Sequence, residues 1–190
     1  MDIPDKGKQF RILGIDPGSG ETGFSLVDHE PVSGLTTLLF HYTFTEKEAV
    51  GSVPLVKDMH GYKMAKHVGH RNFFRWLLEI ANPDVVVSES PFMARSSQAF
   101  RVLSELTVLF QTAAIDDNPH RDFLYASPQA VKSAMGVTKD TGNKDLMYEA
   151  LKARRDLSYA NDINIDELTE HTVDSTCVTL WFIKHVFGNK

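Results

Sequence analysis

Apolar residues along the chain fall in short blocks, and the spacing within each block predicts an element. Residues 10–17 and 22–28 predict two strands joined by the turn-forming Pro17-Gly18-Ser19-Gly20. Residues 35–44 predict a third, and three strands so close in sequence predict an antiparallel meander. Over residues 58–80 the period lengthens: Phe73, Trp76, Leu77 and Ile80 sit at helical spacing, and Asn82-Pro83 ends the run. The β-branched Asp84-Val85-Val86-Val87-Ser88-Glu89 then predicts a buried strand, reached through a helix as in a crossover unit. Residues 95–114 predict a second long helix, with Phe100, Leu103, Leu106 or Thr107, and Phe110 on one face.

Asp122–Ala126 predicts a fifth strand, and Ser127-Pro128 opens a helix with a capping hydroxyl and a proline in its first turn. Residues 136–143 predict a polar loop, Lys144–Arg155 a helix, and Glu170–Phe187 a final helix stopped by Gly188. The resulting order, β-β-β-α-β-α-β-α-α-α, predicts an α/β fold: a mixed five-stranded sheet with helices on its faces and right-handed parallel crossovers. Residues 1–190 are expected to form one domain, with 1–9 as a flexible tail.

Composition changes this picture little, but it excludes several classes. The single Cys177 excludes an internal disulfide and a multi-cysteine zinc site, and points to a reducing compartment. The N-terminus has no apolar signal region, and no run is long enough to span a membrane, so a cytoplasmic location is expected. The net charge of −5 argues against a nucleic-acid binder when taken alone. Its distribution says more. Residues 156–174 hold six acids and no Lys or Arg, residues 57–75 hold five bases against one acid, and residues 121–155 hold seven bases against four acids. Acid at a metal with base around it suits an enzyme acting on a polyanion, and a solvated surface would show the same split.

Three acids stand out by position. Asp16 ends the first strand, Glu89 ends the Val-rich strand, where ligands collect in open sheets, and Asp174 lies near the start of the last helix. His171, three residues before Asp174, shares its helix face. If the first and fourth strands are neighbours, Asp16 and Glu89 leave the same sheet edge, and the last helix brings His171 and Asp174 over them. Hard oxygen ligands with one imidazole suit Mg²⁺ or Mn²⁺, and a pair of such ions is a known device for in-line displacement at phosphorus. Each residue alone also has a plain reading: Asp16 and Glu89 as turn residues, His171 and Asp174 as helix-surface polar groups. His60, His67 and His70 invite a zinc reading, against which stand the missing cysteines and a Lys-rich context.

Four segments, in order, resemble the RuvC-type Holliday junction resolvases of the ribonuclease H-like superfamily. LGIDPGSGETGFSLV is similar to that family's opening hairpin, PDVVVSESPFMARSSQAF to its fourth strand and following helix, SPQAVKSAMGVTKDTGNKDLMYEAL to its later basic segment, and HTVDSTCVTLWFIKH to its closing helix. The resemblance implies a ribonuclease H-like fold and a magnesium-dependent endonuclease. Asp16, Glu89, His171 and Asp174 would hold two Mg²⁺ ions, for which Mn²⁺ substitutes. It further implies paired nicking of a four-way junction by a homodimer, leaving 5′-phosphate and 3′-hydroxyl ends, in a bacterial cell or a phage-infected host. Lys132, Lys139 and Lys144 would meet DNA near the cut, and Phe92 would stack on a base, with a solvated helix face and a core position as the respective alternatives. Helix 95–114 is a candidate dimer interface, or else ordinary packing on the sheet.

The chain departs from the family in its acidic charge, in a longer or looser stretch between Thr45 and His60, and in Glu170-His171 where some members carry a second Asp. Broader cutting of branched DNA, such as flaps, three-way junctions and forks, is the alternative activity. A more distant one is the ATP-binding actin and sugar-kinase fold, which also places Asp-x-Gly after a strand but needs a second lobe and a second phosphate segment.

Overall fold

The computed structural model describes residues 9–92, 97–137, 145–160 and 163–188. Three strands come first: β1 (Phe10–Asp16), β2 (Glu21–His29) and β3 (Thr36–Thr45). They are followed by α1 (Glu46–Gly51), α2 (Pro54–Ala81), β4 (Val85–Glu89), α3 (Ser97–Asp117) and β5 (Asp122–Ala126). The chain continues through α4 (Pro128–Ala134), α5 (Asp145–Lys152), β6 (Leu157–Tyr159), a 3-10 turn at Ile165–Glu167, and α6 (Glu170–Val186). The strands form one sheet in the order β5-β4-β1-β2-β3-β6. β1, β2 and β3 pair antiparallel as the meander predicts, while β1–β4, β4–β5 and β3–β6 are parallel.

Alternation along the strands splits the core in two. Ile12, Val27, Val85 and Val87 join Val173, Cys177, Val178 and Phe182 on the α6 side. Leu13, Ile15, Phe24 and Val86 join Phe74, Leu77, Leu106 and Phe110 on the α2–α3 side. Both faces of β1 and β4 are covered, so these strands read as continuous apolar runs.

The sheet has six strands, not the expected five. β6 is three residues long, too short for a periodic signal, and forms because the β3 edge offers unpaired backbone groups: Thr36, Thr37 and Leu38 pair with Leu157, Ser158 and Tyr159. The stretch after Thr45 is also more ordered than expected. Thr45 and Glu48 make a reciprocal capping box at the start of α1. α2 then opens at Pro54 and breaks at Gly61, whose φ of 82° suits a residue without a Cβ. The expected 1–9 tail lies outside the described residues except for Gln9, and the expected 136–143 loop lies outside them from residue 138.

The basic run at 57–75 is largely spent on internal contacts. Lys63 pairs with Glu105 at 2.8 Å and Arg71 with Asp116 at 3.1 Å, tying α2 to α3, while Lys66 is buried against Glu46. No described helix is long and apolar enough to cross a membrane.

Candidate active site

Strand parity delivers the two strand acids. Ile12 faces α6, Gly14 packs directly under it, and Asp16, two residues further, falls on the same side. On β4, Val85 and Val87 face α6, and Glu89 follows two residues on. The parallel register sets Gly14 opposite Val87 and Ile15 opposite Ser88, so one more step brings Asp16 beside Glu89. The two carboxyls are close enough that Asp16 raises the proton affinity of Glu89.

The last helix can come this close because the sheet beneath it has no side chains at two points. A Cβ on Gly14 would overlap the carbonyl oxygen of Ser175, and one on Gly23 that of His171. The facing side of α6 is correspondingly small: Ser175, Thr176 and Thr179 are buried and donate their hydroxyls to carbonyls of the preceding turn. Thr169 caps the helix by accepting from the Thr172 amide. His171 and Asp174, in its first turns, therefore sit over the ends of β1 and β4.

Asp16 is the hub. Its Oδ2 accepts a 2.7 Å hydrogen bond from His171 Nδ1, and its charge acts on both Glu89 and Asp174. Burial, reinforced by the charge and hydrogen bond of Asp16 and the charge of Asp174, pushes the Glu89 carboxyl up to about 9. Burial, followed by the charges of Asp16 and Glu170, pushes Asp174 up to about 7. The His171 imidazole is raised, chiefly by its bond to Asp16, against the opposing effect of burial. The charge of Lys132 on α4 weakly opposes both upward shifts.

Of the four side chains, His171 and Asp16 are in direct contact, and Glu89 and Asp174 feel the charge of Asp16. Among the described residues, no three His, Cys, Asp or Glu side chains already stand in an arrangement that could hold a metal ion. Two of the acids are instead inclined to keep protons, and His171 donates to the third. Oxygen donors of raised proton affinity with one imidazole nonetheless suit a hard divalent cation, which would bind in competition with those protons.

Phe92 is 66% exposed, not a core residue, and stands with Pro17, Glu89, Ser90, Pro91, Leu103 and Pro128 around a cavity of about 110 Å³. Lys139 and Lys144 lie outside the described residues. Of the three clustered histidines, His70 is fully buried and donates Nδ1–H to the Lys66 carbonyl, while His67 faces Glu105 with Nε2 at 3.6 Å.

Two side chains that contact this end of the sheet escape a reading of motifs. Glu21, the first residue of β2, places a carboxylate 3.7 Å from His171 Nε2. Lys66 on α2 donates to the Ser19 carbonyl and pairs with Glu46, fastening the turn that follows Asp16 to α1 and α2. Lys66 had a usable signal: it shares the helix face of His70, Phe74 and Leu77, so helical spacing marks it for burial.

A sheet of this order, flanked by helices, is a ribonuclease H-like fold, and the solved structures that share it include Holliday junction resolvases. RuvC of Thermus thermophilus aligns with a TM-score of 0.66 at 17% identity, covering 94% of this chain and 97% of that one. The yeast mitochondrial resolvase Ydc2 aligns at 0.65 and 14%, covering 94% and 82%. The fowlpox virus resolvase, solved with Holliday junction DNA, aligns at 0.54 and 15%, covering 93% and 99%. No protein-family model matches the chain, and no curated protein matches it in sequence.

Proposed function

We propose that this chain is a divalent-metal-dependent endonuclease that resolves four-way DNA junctions. The observation that carries the proposal is the convergence of Asp16, Glu89, His171 and Asp174 at one sheet edge, in the fold of the resolvases. Mg²⁺ or Mn²⁺ ions, two to a site, would supply an activated water and neutralise charge on the scissile phosphate.

The chain's own residues do the rest. Asp16, whose charge acts on both Glu89 and Asp174, would be a ligand. Glu89 and Asp174 would release their protons on metal binding. His171 turns one ring nitrogen to the same centre. Lys132, already coupled to the acids, adds positive charge where a phosphate would come. Phe92, exposed at the rim, offers a face for an unpaired base. Lys139 and Lys144, from the same segment as Lys132, are proposed as further backbone contacts.

A four-way junction has two-fold symmetry, so a homodimer would present two such centres to opposing strands. On α3, Phe100 and Leu103, expected with Phe110 at an interface, are half-buried. Phe110 is fully buried against Phe24 and Phe74 and belongs to the core, because α3 turns that face onto the sheet. Val108 and Ile115 are exposed on the same helix, and Val108 lies beside Met64 of α2. These residues are the proposed contact with a second copy, which sedimentation analysis of the protein and of Val108→Glu would test.

The deciding experiment compares four-way, three-way, flap and linear duplex DNA with and without Mg²⁺ on a denaturing gel. Paired, Mg²⁺-dependent nicks confined to the four-way junction support the proposal. Equal cutting of all branched substrates replaces it with a general branched-DNA nuclease, and no cutting of any substrate ends it.

A further inference from the structure

The β1–β2 hairpin does more than present Asp16; it wraps the imidazole of His171. Asp16, at the start of the turn, accepts from Nδ1 at 2.7 Å, and Glu21, at its end, stands 3.7 Å from Nε2. Gly18, between them, makes the curl possible. A Cβ there would overlap the Glu21 carbonyl oxygen and would stand 3.3 Å from His171 Cε1. Six consecutive residues, Asp16 to Glu21, therefore bring a carboxylate toward each nitrogen of a ring carried by a different element.

An imidazole that ligates a metal through one nitrogen needs its other N–H held, and a carboxylate is the usual holder. Asp16 occupies the side facing Glu89 and Asp174. Glu21 is the carboxylate on the far side. We infer that Glu21 is a positioning residue for His171: its carboxylate, within ion-pair distance of Nε2, favours a proton on that nitrogen, so that Nδ1, which donates to Asp16 in the metal-free protein, is the nitrogen that can give up its proton toward the acidic centre. The inference rests on the metal-site reading above, but its first readout does not depend on that reading.

The test uses Glu21→Gln and, as a charge-matched control, Glu170→Gln, which removes the same charge one residue from His171. Both positions are exposed, so both variants are expected to fold. The ring nitrogens of His171, identified against His171→Gln, are followed by long-range ¹H–¹⁵N NMR in metal-free protein. Mn²⁺ affinity is then measured by calorimetry.

The expected result is a displaced His171 Nε2 resonance in Glu21→Gln with little change in Glu170→Gln, and Mn²⁺ binding about tenfold weaker in Glu21→Gln alone, the lower end of what such outer carboxylates contribute. His171 resonances that do not move in Glu21→Gln, or equal effects of the two substitutions, would overturn the inference, because only a general field would remain. Wild-type protein that binds no Mn²⁺ would remove the metal reading instead, and the ring resonances would still decide the role of Glu21.

Discussion

Gly23 lies directly beneath the backbone carbonyl of His171, with no room between them for a methyl group. The contact sets the height of α6 over the sheet, and so the distance from His171 and Asp174 to the strand acids. Gly23→Ala is expected to cost at least about 2 kcal/mol, because it meets backbone and not a side chain that can swing away. It should also lower cleavage beyond the unfolded fraction, by lifting α6. Denaturant melts read beside single-turnover rates check both effects; a variant that melts and cuts like wild type would show that α6 can be raised freely.

Asp16 contacts His171 and acts electrostatically on Glu89, so its loss should disable the centre without unfolding the sheet. Asp16→Asn is expected to reduce junction cleavage about a thousandfold, equivalent to roughly 4 kcal/mol of barrier. Junction binding in a gel-shift assay should survive. A variant that cuts at the wild-type rate would remove Asp16 from the chemistry.

The raised carboxyl of Glu89 sets a pH dependence of stability. A group that binds its proton more tightly folded than unfolded stabilises the fold below its ordinary pKa, and loses that contribution as pH rises through its folded value. For Glu89 the window runs from about 4.5 to about 9. In metal-free protein, Glu89→Gln should therefore gain on wild type as pH rises from 5 to 8, by several degrees of melting temperature. Mg²⁺ or Mn²⁺ should raise the wild-type melting temperature more at pH 8 than at pH 5, since cation and proton compete. Parallel melting curves of wild type and variant across this range would reject the assignment.

Phe92 is exposed beside Glu89, so its removal should cost function and not fold. Phe92→Ala is expected to weaken junction cleavage by about 5- to 100-fold, the worth of roughly 1–3 kcal/mol of stacking, with stability within about 0.5 kcal/mol of wild type. Equal losses in melting temperature and rate would return Phe92 to a packing role.

The charge of Lys132 acts on both acids and, in the proposed complex, would act on a phosphate. Lys132→Ala should lower junction affinity and flatten its dependence on the logarithm of salt concentration by about one unit. An unchanged slope would leave Lys132 as a counter-charge for Glu89 and Asp174 alone.

The sequence by itself determined the layered α/β scheme, the principal strands, and the side of the sheet to which Asp16 and Glu89 belong, because strand parity and helical period are local properties of a covalent chain. The alternation Ile12, Gly14, Asp16 and Val85, Val87, Glu89 carries that information without any knowledge of neighbours. Only the tertiary structure decided that β1 and β4 lie side by side in a register joining the two carboxyls. It also decided that α6 rests on bare backbone at Gly14 and Gly23, that Glu21 folds back to His171, and that Lys66 is sunk against the Ser19 carbonyl. It set Phe110 in the core and added β6 to the open β3 edge. These are facts about which surfaces meet. They depend on the sum of packing and backbone pairing over residues as much as 155 positions apart, as with Asp16 and His171, and no local pattern records that sum.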